Sequence, residues 1–196
     1  MRGNEKVAAA GLATGIGLLI GVGGYLYYKQ QVMQPIKEAL EDVNGVKNEL
    51  GYMKENVLPY FNDDLKQQVN TTSALVDQAH AKVHGAVMLC MKFKDNPRDT
   101  ETGKMLADTI SSAKDLVNNA SNALASLATT TAHLAKTQMT SSQALTFAMA
   151  NSNGWTKEKE EIFKAAGACY RAAGATREAV GKLDKALDTV ISNFEG

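Results

Sequence analysis

From Val7 to Tyr28 the chain reads VAAAGLATGIGLLIGVGGYLYY, with no charged residue and no proline. As an α-helix at ~1.5 Å per residue the run is roughly 33 Å long, which matches the hydrocarbon core of a bilayer. Few other environments suit it. Six glycines (Gly11, Gly15, Gly17, Gly21, Gly23 and Gly24) weaken a helix in water. In lipid the backbone has no water to bond instead, so the helix is favoured. The sequence therefore predicts a single-pass membrane helix near the N-terminus.

The flanks fit that expectation. Arg2 and Lys6 precede the run and Lys29 follows it. Tyr25, Tyr27 and Tyr28, with Lys29, read as interfacial anchors, because amphipathic rings favour the headgroup level. The basic flank before the run favours an inward-facing N-terminus. A cleaved signal peptide is the rival, but the run is long for one and ends in bulky tyrosines instead of a small-residue cleavage site. Within the run, Ala9, Ala13, Gly17 and Gly21 fall four apart, and Gly11 and Gly15 form a second small pair. Small residues at this spacing let another helix approach closely, so these six are candidate helix-packing positions.

About 165 residues remain after the run, enough for one domain. With 21 basic and 21 acidic residues the formal net charge is zero, so no general attraction to nucleic acid follows. Hydrophobic residues repeat with alternate spacings of four and three, the seam of a coiled coil or bundle helix. The first seam is Val32, Ile36, Ala39, Val43, Val46, Leu50, Met53, Val57 and Tyr60. Pro35 lies within it, tolerated near a helix start or at a kink. A break follows at Leu58–Asp64, where Pro59 removes a donor and Asn62 or Asp63 can cap a new helix. The next seam runs from Leu65 through Val76 and Val83 to Phe93. A turn at Lys94–Asp99 precedes a third seam from Leu106 to Leu134. Thr129–Thr131 and Thr140–Ser142 are soft spots in it. After a turn at Asn151–Gly154, Thr156 is a candidate cap, with Trp155 as a staple. The last seam runs from Ile162 through Cys169, Thr176 and Leu183 to Phe194.

The expected class is all-α: one N-terminal transmembrane helix followed by an elongated antiparallel bundle of about three long helices. The expected divisions are 1–29 (flank and membrane helix), 30–93 (stalk and first bundle helix, kinked near 59–64), 99–150 and 155–196. Short turns make consecutive helices antiparallel.

Chemistry-bearing patterns are sparse. Asp77, His80 and His84 share one helix side and are the only candidates for a metal, but a structural site needs about four ligands. His133 reaches them only if the fold brings it across. Cys90 and Cys169 have no CxxC or zinc spacing and read as small buried hydrophobes, or as a disulfide if two helices bring them into register. There is no G-x-S-x-G, P-loop or H-E-x-x-H. Asn70 and Asn119 match the glycosylation pattern but lie within seams. Lys92, Lys94 and Arg98 form a small basic tip. The sequence thus points to no catalytic residues, no cofactor, no small-molecule substrate and no nucleic acid. It points to the lipid bilayer and to other membrane subunits, or a second copy, as partners. The function expected is a membrane-anchored scaffold or accessory subunit. The alternative is a membrane-active protein that forms pores or binds lipid.

Overall fold

The computed structural model describes residues 22–95, 99–137 and 157–195. A short helix α1 (Val22–Tyr28) passes through one wide turn, Lys29–Met33, into α2 (Gln34–Asn56). A 3-10 turn, Leu58–Tyr60, leads to α3 (Asp63–Asp95), and two longer helices follow, α4 (Thr100–Thr137) and α5 (Lys157–Glu195). Residues 7–21 of the expected membrane run lie outside the described residues, and its last seven form α1. Among the described residues, no helix is long and apolar enough to cross a membrane.

The wide turn is a consequence of Pro35. Proline offers no N–H and its ring crowds the carbonyl four residues back. The chain answers with a π-helical step, in which the Gln34 N–H reaches the Lys29 carbonyl five residues earlier. Pro35 therefore neither starts nor stops the helix, and α1 is continuous with α2.

At Pro59 the chain does more than kink. Phe61 is extended (φ −93°, ψ 147°), and the Asn62 side chain accepts from the Leu65 N–H at 2.9 Å, capping α3. With Asp63 and Asp64 in the first turn, the new helix starts afresh. It runs back along α2: Lys54 donates to Ser73 at 2.7 Å, Lys47 pairs with Asp77 at 3.0 Å, and Tyr28 donates to the Cys90 carbonyl at 3.0 Å. Ascending numbers on α2 meet descending numbers on α3, so the expectation of one kinked stalk over 30–93 is corrected. It is a helical hairpin, and the described residues form four long helices instead of three.

The remaining pairs are antiparallel as well. Arg171 and Lys182 of α5 bond Glu49 and Asp42 of α2 at 3.2 and 2.6 Å, and Lys114 of α4 bonds Asp184 of α5 at 2.8 Å. Each helix packs on two neighbours in the cycle α2–α3–α4–α5, giving an up-down-up-down bundle. Apart from the half-buried Lys182–Asp42 pair, these exposed pairs contribute about 0–1 kcal/mol each, so they set register more than stability.

The core is the set of seams. Val32, Ile36, Ala39, Val43, Val46, Leu50 and Met53 close on Leu65, Val69, Val76, Val83 and Cys90, on Leu106, Ile110, Val117 and Leu124, and on Ile162, Cys169, Leu183 and Val190. A helix that touches two neighbours must bury more than a two-position seam. On α5, Ala165, Ala172, Ala179 and Ala186 supply the extra stripe at intervals of seven, and Ser121, Ala128 and Ala135 do so on α4. Small residues on both sides let this pair of axes approach closely, and α4–α5 is the most extensive contact of the bundle. Two buried threonines on these helices are satisfied locally: Thr131 bonds the Leu127 carbonyl at 2.7 Å and Thr176 the Ala173 carbonyl at 3.0 Å. Helix α4 thus runs unbroken through Thr129–Thr131 to Thr137. The expected features at 138–156, including the Thr156 cap and the Trp155 staple, lie outside the described residues.

Candidate functional site

The antiparallel register gives the bundle two ends. The proximal end gathers α1, the close of α3, the start of α4 and the close of α5. The distal end gathers the Leu58–Tyr60 turn, the close of α4 and the start of α5. Between them the 33 residues of α3 span roughly 50 Å at ~1.5 Å per residue.

The proximal end holds the expected interfacial anchors, and the structure divides them. Tyr25 and Tyr27 are exposed, as is Lys29. Tyr28 is not an anchor: it is 4% exposed, tilts against Phe93 with ring centroids 5.7 Å apart, and donates to the Cys90 carbonyl. The reason is register. Tyr28 lies four residues before Val32, so it is the first position of the α2 seam. Lys94 stands over the Tyr25 ring at 5.7 Å from its centroid, a cation–π contact at the rim. At the start of α4, Asp99 caps the helix, accepting from the Glu101 and Thr102 N–H groups at 3.1 and 3.2 Å. The Thr102 hydroxyl and N–H bonds hold the Asp99 carboxyl below its usual range. The candidate packing positions Ala9, Gly11, Ala13, Gly15, Gly17 and Gly21 lie outside the described residues.

Among the described residues, most of the large apolar side chains left exposed lie at this same end: Tyr25, Leu26 and Tyr27 on α1, Met88 and Met91 on α3, Met105 on α4 and Ile191 on α5.

The distal end carries the one buried carboxylate among the described residues. Glu161 accepts a short hydrogen bond from the Tyr52 hydroxyl and pairs with Lys164 at 3.4 Å. The Tyr52 bond, followed by Lys164, holds the Glu161 carboxyl below its usual range, and the same bond raises Tyr52. Beside it an apolar cleft of about 270 Å³ opens between α4 and α5, lined by Ala132, Ala135, Phe163, Ala166, Gly167 and Tyr170. Also toward the distal end, a broad polar groove of about 490 Å³ runs between the start of α3 and α4, with Asp64, Gln67, Gln68 and Thr71 on its rim.

The candidate metal residues lie elsewhere. Asp77, His80 and His84 do share one side of α3, but Asp77 is taken by Lys47 and the two imidazoles stack at 6.4 Å. Burial, with Lys47 and His84 nearby, holds His80 below its usual pKa. His133 is not brought to them. Gly85 lies against Thr109, and this register sets His133 roughly 28 Å further along the bundle at ~1.5 Å per residue. Among the described residues, no group of three or more His, Cys, Asp or Glu is placed to hold a metal ion.

Cys90 and Cys169 are both buried free thiols. Cys90 is near the proximal end, whereas Cys169 lies against Met53 near the distal end, 3.5 Å between sulfurs. Most of the bundle length separates them, far beyond disulfide reach. Burial pushes Cys90 up to about 11 and Cys169 up to about 12.

The class these features define is an up-and-down antiparallel four-helix bundle with an apolar rim at the end where the chain enters. No family model, no curated protein and no solved structure matches the chain.

Proposed function

We propose that this chain is a membrane-anchored helical-bundle scaffold, or an accessory subunit of a membrane protein assembly, with no catalysis of its own. The observation that carries the reading is the uncharged, proline-free run Val7–Tyr28. Tyr28 belongs to the bundle, so the span ends about one turn earlier than its apolar composition suggests. The part before Tyr25 is about 18 residues, still within the ~17–25 that cross a bilayer.

The architecture supports the reading in two ways. Helix α1 continues through the π-helical step into α2, so an anchored α1 holds the bundle on a stiff connection. The bundle itself is a closed core with long exposed polar faces, suited to holding partners at a distance from the bilayer. Within the bilayer, Ala9, Ala13, Gly17 and Gly21 provide a close-approach face for other subunits or for a second copy.

The test is membrane fractionation of the full chain. The reading expects the protein to stay in the membrane pellet through high-salt and alkaline washes, and to be released by detergent. Release by alkaline wash overturns it. A stable water-soluble population that converts to a membrane-inserted one favours the membrane-active alternative.

A further inference from the structure

The proximal end has an arrangement that a packed bundle does not require. Met88, Met91 and Met105 are 56, 50 and 49% exposed, and Tyr25, Leu26 and Tyr27 are 40–48% exposed. Single exposed apolar residues are ordinary. Here six of them occupy one level of three different helices. Tyr25 is level with Lys94, and Tyr28 with Cys90 and Phe93. The Gly85–Thr109 approach sets Met105 beside Met88. Stepping along these registers at ~1.5 Å per residue, all six lie within about 10 Å of one another along the bundle axis. That depth is close to the ~5–8 Å headgroup layer on each face of a bilayer.

The occupant is indicated by the chain itself. The 21 residues before Val22 carry the apolar run, and they join the bundle at this end. A bilayer holding that run meets the rim of the bundle first. We therefore infer that the proximal rim is itself a lipid-contacting collar: Tyr25, Leu26 and Tyr27 of α1, Met88 and Met91 of α3, and Met105 of α4 sit at the membrane interface and seat the bundle on the bilayer. The inference rests on the anchored reading and deepens it.

Charge is close to balanced here and does not drive the contact. Lys29, Lys92, Lys94, Arg98 and Lys104 are met in this part of the sequence by Asp95, Asp99, Glu101 and Asp108, which leaves one positive charge over. Tyrosines suit the interface because one end is apolar and the other polar, and unbranched methionines fit an irregular lipid surface. The collar should thus form on neutral phosphatidylcholine as well as on anionic lipid.

Tryptophan quenching by brominated phosphatidylcholine tests this in the full chain, reconstituted in vesicles with Trp155→Phe as background. Met91→Trp and Met105→Trp report the collar, Tyr170→Trp the distal end and Leu12→Trp, off the small-residue positions, the span. The inference expects Met91→Trp and Met105→Trp to lose emission with lipid brominated near the headgroup end of its chains, Leu12→Trp with deeply brominated lipid, and Tyr170→Trp with neither. Quenching at Leu12→Trp but at neither collar position overturns the collar and leaves the anchor standing, with a protein partner or a second copy on the rim. Quenching at the collar but not at Leu12→Trp retains the lipid contact and overturns the anchor. Quenching that extends to Tyr170→Trp overturns the collar, since lipid then covers the whole bundle.

Discussion

Leu183→Ala probes the bundle where its packing is least forgiving. Leu183 is fully buried on α5, between Lys182 and Asp184, which bond outward to Asp42 and Lys114. Those two bonds fix the register. They put Leu183 in the core level with Ala39 and Val43 of α2 and with Ala113 and Val117 of α4. The alanines have no rotamers with which to fill a void, and the helices carrying them are held by neighbours on both sides. Removing three carbons forfeits about 2.4 kcal/mol of transfer free energy at ~0.8 kcal/mol each. The unfilled cavity raises the total to about 3–5 kcal/mol. For a chain of this size that corresponds to roughly 6–20 °C in melting temperature. Urea unfolding followed by circular dichroism measures it, with Leu183→Met as the control expected to lose less than about 1.5 kcal/mol. A loss below about 1 kcal/mol for Leu183→Ala would refute the packing described, because the site would then be able to collapse or would not be buried.

Three other outcomes follow from single contacts. Asn62→Ala removes the α3 cap and should lower stability by about 0.5–2 kcal/mol in the same urea assay, with Asn62→Asp nearly neutral. The Tyr52–Glu161 bond makes stability depend on pH at both extremes. Glu161 is held below its usual 4.5, so its contribution is full above that value and is lost as pH falls through the folded value. Tyr52 is raised above its usual 10.0, so its contribution is full below that value and is lost as pH rises through the folded one. Tyr52→Phe should flatten the urea midpoint against pH in both windows. Finally, both thiols are buried with raised pKa values, so an aromatic disulfide reagent at pH 8 should label neither cysteine until denaturant is added.

The four-three spacing placed the buried face of each helix almost residue by residue, since burial on a helix has a period and a period is visible in a string. Of the first seam only Tyr60 is half-exposed, and of the third only Leu134. What spacing does not carry is the partner of each face. Pro59 announces a break, but whether the chain kinks or reverses is decided by the extended dihedrals of Phe61. The second stripe of α5 offered a way to see it. Ala165, Ala172, Ala179 and Ala186 lie beside the seam at intervals of seven, and a helix with two apolar stripes needs two neighbours. Tyr28 was misassigned for a related reason. An aromatic residue after an apolar run suggests an interface, while its place four residues before Val32 puts it in the seam. Extending the seam backwards resolves the conflict in favour of burial.

The exposed rim was legible only in part. Tyr25 and Tyr27 declare themselves next to the apolar run. Met88, Met91 and Met105 do not, because each is an isolated off-seam residue in its own helix, and their common level arises from the antiparallel register.

The reversal at Pro59 separates this bundle from a kinked rod most sharply. Spin labels at the exposed positions Glu41→Cys and Ala81→Cys, in a Cys90→Ala, Cys169→Ala background, report the distance between α2 and α3 by pulsed electron resonance. Adjacent helix axes about 8–10 Å apart, plus two outward labels, predict a distance below about 30 Å. A distribution centred near 60 Å, the length of about 40 residues of uninterrupted helix at ~1.5 Å each, would contradict the hairpin and the four-helix bundle built on it.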